Sequence, residues 1–170
     1  NDILDHARLE AGRLQLHNAA FDLLRLLDDC RLLFEQQPRG DGVTLRTDLA
    51  AGVSRVVFGD AQRVRQLLVN LLAVAYRRST RGAIVLHVRP LDAAPGWLRF
   101  EVEDGGPRLD AAAMARLFDP AAPAAEAGMG LAMSRRLCEA MGGRMGVNAA
   151  TGGTGDGIVL WFEVPLHAAG

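Results

Sequence analysis

Two glycine-flanked segments hold the residues whose types and spacing could do chemistry. In the first, Asp104 follows a strand-like run and directly precedes the turn Gly105-Gly106. In the second, Gly128 and Gly130 open a helix after an alanine-rich loop that could act as a lid. Backbone amides at the start of a helix attract anions, and phosphate is the usual occupant. The spacing therefore predicts a nucleotide pocket between these segments.

An earlier helix carries a further set of side chains on a face separate from its apolar stripe. It begins at Asp60, and its apolar stripe is wide enough to pack on a sheet. The residues of that stripe are Val64, Leu67, Leu68, Leu71, Leu72 and Ala75. Asn70, Val74 and Arg77 follow one another at i, i+4 and i+7, so they share a different face of the helix.

The composition indicates one globular domain with a short appendage. Of 170 residues, 49% are hydrophobic and 23% are charged, which is ordinary for a folded domain. The net charge of -1 gives no support for a nucleic-acid partner. No apolar run approaches the roughly 20 residues that are needed to span a bilayer. The sequence contains no lysine, which excludes lysine-dependent chemistry such as a Walker-type phosphate lysine.

The histidines and cysteines give no sign of a metal centre or of a nucleophile triad. The histidines are His6, His17, His87 and His167. Their spacing fits no metal site. Cys30 and Cys138 fall at apolar positions of predicted helices without a CxxC partner, so we expect buried free thiols in a reducing compartment.

Hydrophobic periodicity predicts both helices and strands. Helices are predicted over residues 1–14, 23–37, 60–78, 111–117 and 130–141. Strands are predicted over residues 43–47, 55–59, 83–89, 97–103, 144–149 and 158–164. Asp22 is a good N-cap, and the helix after it carries Leu23, Leu26, Leu27, Cys30, Leu33 and Phe34 at helical spacing. Three main helices and a mostly antiparallel sheet predict an α/β fold, a two-layer sandwich.

Taken in order, the motifs resemble the ATP-binding catalytic domain of two-component sensor histidine kinases of the hybrid type. That family lies in the GHKL superfamily, shared with gyrase, the large heat-shock chaperone and mismatch-repair ATPases. The matching segments are residues 1–12 for the end of the dimerisation helix, 60–72 for the asparagine box, 104–106 for the first glycine box, 117–120 for the phenylalanine box and 128–132 for the second glycine box. The resemblance implies a Bergerat-type fold, a mixed, mostly antiparallel sheet with the helices on one face.

The resemblance also divides the chain. Residues 1–17 correspond to the end of the dimerisation helix and its linker, and residues 18–170 to the catalytic domain. Because Asn1 falls mid-pattern in a helix, the sequence is expected to be part of a longer protein. The phosphoacceptor histidine of the family lies on an earlier helix, so no catalytic residue is expected in this piece. His6 is expected to be a surface or packing residue.

ATP and Mg²⁺ are the cofactors that the resemblance implies. In the family, the aspartate at Asp104 accepts a hydrogen bond from the adenine amino group, and the glycine at Gly106 lets the backbone approach the base. Arg77 takes the place of a phosphate-facing basic residue, or is a solvated arginine at a helix end. Asp104 can also be a simple turn former, and Gly128 and Gly130 can serve only the geometry of a helix start. The implied nucleotide-binding residues are Asn70, Arg77, Asp104, Gly106, Phe118, Gly128, Gly130 and Leu131.

Several departures from the family pattern fall in the predicted pocket. Val74 stands where a second asparagine would carry the magnesium ligand, and valine offers no oxygen. Arg108 replaces a usual glycine, so its side chain either intrudes on the adenine or ribose space or points to solvent, and Pro107 stiffens the same turn. The lid over residues 119–127 is short and rich in alanine and proline, and its Glu126 would repel a triphosphate.

These departures favour a degenerate domain that binds Mg-ATP weakly or not at all and acts as a regulatory module. One alternative is an active domain that transfers the γ-phosphate of ATP to a histidine of the dimerisation helix. Another is a superfamily ATPase or an anti-sigma-type binding protein. The implied partners are the dimerisation helices of the same or a partner kinase and a receiver domain, in a homodimeric full-length protein that binds no nucleic acid. The resemblance implies a cytoplasmic domain of a parent that can be anchored in the inner membrane.

Overall fold

The structure, a computed structural model, describes residues 15–36, 42–79, 82–120, 130–150 and 157–169. Its helices are α1 (Leu23–Glu35), α2 (Ala61–Arg78), α3 (Ala111–Arg116) and α4 (Leu131–Ala140). Its strands are β1 (Ala19–Asp22), β2 (Val43–Leu49), β3 (Val56–Gly59), β4 (Gly82–Pro90), β5 (Trp97–Glu103), β6 (Arg144–Ala149), β7 (Ile158–Pro165) and β8 (His167–Ala168). None of these helices combines the length and the apolar character needed to cross a membrane. The predicted helix over residues 1–14 lies outside the described residues, as do Gly128 and residues 121–127 of the predicted lid.

A five-stranded sheet in the order β2-β4-β5-β7-β6 forms one layer. β2 pairs with β4 in parallel, and the other three pairs are antiparallel, which confirms the prediction of a mixed, mostly antiparallel sheet. Val102 lies opposite Leu160 in the register of β5 and β7. Two residues along, Phe100 and Phe162 stack with ring centroids 4.6 Å apart. The alternation of β5 places these apolar side chains on the core face of the sheet.

The helices cover that face, and α2 is central among them because it packs against both α1 and α4. Every residue of its predicted apolar stripe is buried, as periodicity predicted. The N-cap assignment of Asp22 is also confirmed, since its side chain accepts a hydrogen bond from the Arg25 amide. The prediction was wrong for Leu33, which is 36% exposed. Phe34 takes the inward place at this end of α1 and stacks on Tyr76 with centroids 4.8 Å apart.

A second, three-stranded sheet in the order β1-β3-β8 was not predicted as a unit. Its outer strands are four and two residues long, too short for alternation to be visible in the sequence. Phe21 pairs with Val57, and Phe58 pairs with His167. Two residues before β1, the His17 amide donates a hydrogen bond of 2.8 Å to the Asp60 carboxylate. The sheet and this bond fix residues 17–22 to the start of α2.

Candidate functional site

Asp104 follows directly after β5, and both oxygens of its carboxylate accept hydrogen bonds from neighbouring protein groups. One oxygen, Oδ2, accepts a hydrogen bond of 2.8 Å from Nε of Arg78, the last residue of α2. The other, Oδ1, accepts from the backbone amides of Gly106 and Ile158, at 3.1 Å and 3.2 Å. Only 1% of the Asp104 side chain and 14% of the Arg78 side chain are exposed. Asp104 therefore ties the end of α2, the glycine turn and the start of β7 together.

The glycine turn itself is docked on the end of α2. The Gly105 amide donates to the Ser79 hydroxyl at 3.1 Å, and Nη2 of Arg78 donates to the Pro107 carbonyl. A Cβ atom on Gly106 would come within 2.7 Å of the Arg78 carbonyl oxygen, so the turn can lie this close to α2 only because residue 106 is glycine. This close approach is to the backbone of α2, and the approach of Gly106 to a base, which the resemblance implies, stays a prediction.

Asn70 points from α2 to α4. Its Nδ2 donates a hydrogen bond of 2.9 Å to the Ser134 hydroxyl, and both residues are buried. Ser134 lies one turn after Gly130, which is the N-cap residue of α4 and makes no side-chain cap. Leu131, the next residue, is buried in the core. The structure thus brings three predicted site residues, Asn70, Gly130 and Leu131, to the beginning of α4.

At the position predicted for a magnesium ligand, Val74 is 2% exposed and belongs to the hydrophobic core. Magnesium requires oxygen ligands in near-octahedral geometry, so this side chain does not fit the ion. The part of the chain that the structure describes also contains no group of three or more His, Cys, Asp or Glu side chains able to hold a metal. Arg77 and Arg108 are both exposed, and whether the Arg108 side chain enters the adenine or ribose space stays a prediction.

Phe118 supports α4 through a cation–π contact. Its ring is largely buried, and the Arg135 guanidinium lies 3.7 Å from the ring centroid. Nε of Arg135 is buried and has no hydrogen-bond partner within the described ranges. Arg135 follows Ser134 on α4, so Phe118 and Asn70 hold neighbouring positions of the same helix. Whether Phe118 also contacts a nucleotide stays a prediction.

Sequence reasoning missed two residues of this arrangement, Arg78 and Ser134. Arg78 could have been found, because it lies one helical turn after Val74, at i+4, and so projects from the same side of the helix. Its ion pair with Asp104 spans 26 residues of sequence and had no local signal. Ser134 lies 64 residues from Asn70 and likewise had none.

Comparison with known proteins places these features in a family. Residues 59–168 match the family described as "Histidine kinase-, DNA gyrase B-, and HSP90-like ATPase". The chain is 33% identical over 175 residues to the sensor protein TorS of Escherichia coli (strain K12), covering 99% of this chain and 18% of that protein. It is 28% identical over 175 residues to hybrid signal transduction histidine kinase B of Dictyostelium discoideum, covering 97% of this chain and 9% of that protein.

A solved structure is similar over the same range. The crystal structure of full-length ShkA in complex with AMPPNP superposes with a TM-score of 0.82 at 34% identity, over 99% of this chain and 35% of that one. The chain therefore spans less than a quarter of either curated relative and about a third of this solved protein.

Proposed function

Since the chain belongs to the histidine kinase-, DNA gyrase B- and HSP90-like ATPase family, we propose that it is the catalytic-type domain of a hybrid sensor histidine kinase in a phosphorelay. Its own nucleotide site is reduced, and the domain acts mainly as a regulatory module. The relatives support the signalling assignment, because one is a sensor protein and another a hybrid signal transduction histidine kinase.

The burial of Val74 carries the proposal. In phosphoryl transfer, metal ions bridge the β- and γ-phosphates and neutralise the charge that develops there. The side chain at the position that would ligate the ion is apolar and 2% exposed. Asn70, one turn earlier, uses its amide nitrogen to hold Ser134. The Oδ1 atom of Asn70 is not used in this bond, so we expect these two residues to offer the ion at most one oxygen and to form only a weak magnesium site with the phosphates.

The regulatory role is supported by the parts of the domain that remain well built. The hydrophobic core is continuous from α1 through α2 to α4 and the large sheet. The linker is fixed to this core by the hydrogen bond from the His17 amide to Asp60. A domain held in this way can transmit a change of position to the dimerisation helices without turning over ATP. Those helices, in a homodimer, and a receiver domain are its proposed partners.

The active alternative is favoured by one observation, the similarity to ShkA, whose structure contains AMPPNP. In that alternative, the domain transfers the γ-phosphate of ATP to a histidine of the dimerisation helix. The two functions differ in a measurable property, which is magnesium-dependent nucleotide affinity.

Calorimetric titration of the 170-residue chain with AMPPNP separates them. We expect binding weaker than about millimolar, with no more than a small gain when magnesium replaces EDTA, because the ion lacks its protein ligand. Micromolar binding that requires magnesium would refute the reduced nucleotide site. Circular dichroism of the same sample, with a cooperative thermal transition, verifies that weak binding is not due to unfolding.

A further inference from the structure

Asp104, to which the resemblance assigns recognition of the base, forms an ion pair with Arg78. We propose that Arg78 is a specificity-determining residue that excludes purines with a 6-amino group, adenine above all, from the Asp104 carboxylate. The proposal rests on the assignment of this site to a nucleotide-binding family. It names a cause of reduced adenine binding that is separate from the loss of the magnesium ligand.

Three of the four lone pairs of the Asp104 carboxylate are used, and the one that remains is on Oδ2, beside the Arg78 guanidinium in a side chain that is 1% exposed. Oδ2 accepts from Nε of Arg78, and Oδ1 accepts from two backbone amides. The adenine amino group is a donor and needs a free acceptor. A guanidinium carries only donors, so the group that lies against this acid opposes a second donor.

Arg78 is held in this position at several points. Its Nη2 donates to the Pro107 carbonyl, while Nε remains on Asp104. Gly106 packs against the Arg78 carbonyl, and Ser79 holds the preceding amide of the turn. A base that reached Asp104 would have to break a charge pair whose acid is 1% exposed. Breaking such a buried pair is strongly unfavourable, because it leaves an uncompensated charge.

A comparison of ADP with IDP isolates this effect. The two nucleotides differ at the 6-position of the base, which is an amino group in ADP and an oxo group in IDP. Titrations in EDTA remove the metal, so the lack of a magnesium ligand at Val74 does not affect the comparison. The proteins are the wild-type chain, Arg78→Met and Arg65→Met, in which the same substitution removes an exposed arginine from the same helix.

For Arg78→Met, we expect ADP to bind at least about tenfold more tightly than IDP, since a hydrogen bond to a charged group is worth about 10- to 100-fold in affinity. For the wild type and Arg65→Met, we expect no preference for ADP beyond about threefold, because Asp104 stays engaged. A merely structural role of Arg78 would leave the ratio unchanged. No ADP preference in folded Arg78→Met, or a tenfold preference in the wild type, would overturn the proposal.

Arg78→Met also removes the cation that faces a buried carboxylate, so its thermal transition must be recorded first. If this variant does not fold, the wild type still tests the proposal through the ¹H–¹⁵N signal of Arg78 Nε–H. We expect this signal to be protected from exchange and unchanged by ADP in EDTA. Its displacement by ADP, but not by IDP, would show that the base reaches Asp104 and would refute the proposal.

These results are distinct from those that test the regulatory function. Micromolar, magnesium-dependent AMPPNP binding would refute the reduced metal site whatever the ratio of ADP to IDP. A ratio that does not respond to Arg78→Met would refute the role of Arg78 whatever the magnesium dependence.

Discussion

The Asp104 carboxylate has a structural role that does not depend on any ligand. A charge with 1% exposure is unfavourable unless it is paired and hydrogen-bonded. Arg78 supplies the opposite charge, and the amides of Gly106 and Ile158 supply two further hydrogen bonds. Replacement of Asp104 would therefore affect folding as well as binding, so a loss of binding in such a variant would not by itself demonstrate base recognition.

The burial of Val74 in the apolar core leads to a prediction about stability. We expect Val74→Asn to lower the free energy of unfolding by about 1–3 kcal/mol, because an amide would be buried in an apolar core without a prepared partner. Urea denaturation followed by circular dichroism measures the change. Val69→Asn is the matched control, since Val69 is only partly buried on the same helix, and its loss should be smaller. A stabilised Val74→Asn that gained magnesium-dependent AMPPNP binding would show that position 74 opens to the pocket.

Individual site residues were predictable only where a local motif carried them. Asn70 and Asp104 stand in recognisable sequence patterns, and the structure places both at contacts between elements. Their partners, Ser134 and Arg78, were not found, because hydrogen bonds over 64 and 26 residues depend on tertiary packing. The sequence therefore singled out two residues that the structure places at contacts between elements, but not the partners that hold them.

Among the elements, α2 is anchored at both ends by segments distant in sequence. At its start, Asp60 accepts a hydrogen bond from the His17 amide as well as from the Arg63 amide of its own first turn. At its end, Arg78 and Ser79 hold the glycine turn. These anchors make α2 the element that connects the linker with the candidate site.

The two N-caps Asp60 and Asp110 allow a matched test of that connection. Asp110 is exposed and caps only α3, through a 2.7 Å hydrogen bond with the Ala113 amide, so Asp110→Ala should cost about 1 kcal/mol. Asp60 is 4% exposed and makes the additional bond to His17, so Asp60→Ala should cost about 2–3 kcal/mol. Urea denaturation gives both values, and amide hydrogen exchange at His17 should accelerate only in Asp60→Ala. Equal costs would mean that the linker is not held through Asp60.

Elements were predictable in proportion to their length and periodicity. β5 has seven residues in strict alternation, and its predicted bounds, 97–103, were confirmed without change. α2 has 18 residues with a continuous apolar stripe, and it was also found. β1 and β8 were missed as strands because pairing with β3, rather than their own pattern, makes them strands.

Across the whole molecule, the two buried cysteines lie on either side of α2. Cys30 belongs to α1 and Cys138 to α4, and both are members of the hydrophobic core. Burial raises the pKa of the Cys30 thiol from 9.0 to about 11 and that of the Cys138 thiol from 9.0 to about 12. The Cys138 thiol also donates a weak hydrogen bond of 3.4 Å to the Arg144 carbonyl, which only the protonated form can do. Both helices are therefore packed around neutral thiols.

The sign of the resulting pH dependence follows from these raised pKa values. Between pH 9 and the pKa that each thiol has in the folded state, the folded protein keeps a proton that the unfolded chain has released. The contribution of each thiol to the free energy of unfolding is therefore fully present below pH 9 and is lost as the pH rises. When the pH is raised from 8 to 10, the free energy of unfolding should fall by about 1.4 kcal/mol for each thiol. No lysine titrates in this range, because the chain has none.

Urea denaturation at pH 8 and pH 10 tests this prediction on the wild type and on the double variant Cys30→Ala and Cys138→Ala. The variant will be less stable at both pH values, since each alanine leaves a small cavity, so the quantity to compare is the change between them. We expect that change to be smaller in the variant by about 3 kcal/mol, the sum over both thiols. An equal change in both proteins would mean that the thiols are not buried in neutral form, and that the packing of α1 and α4 against α2 differs from that described.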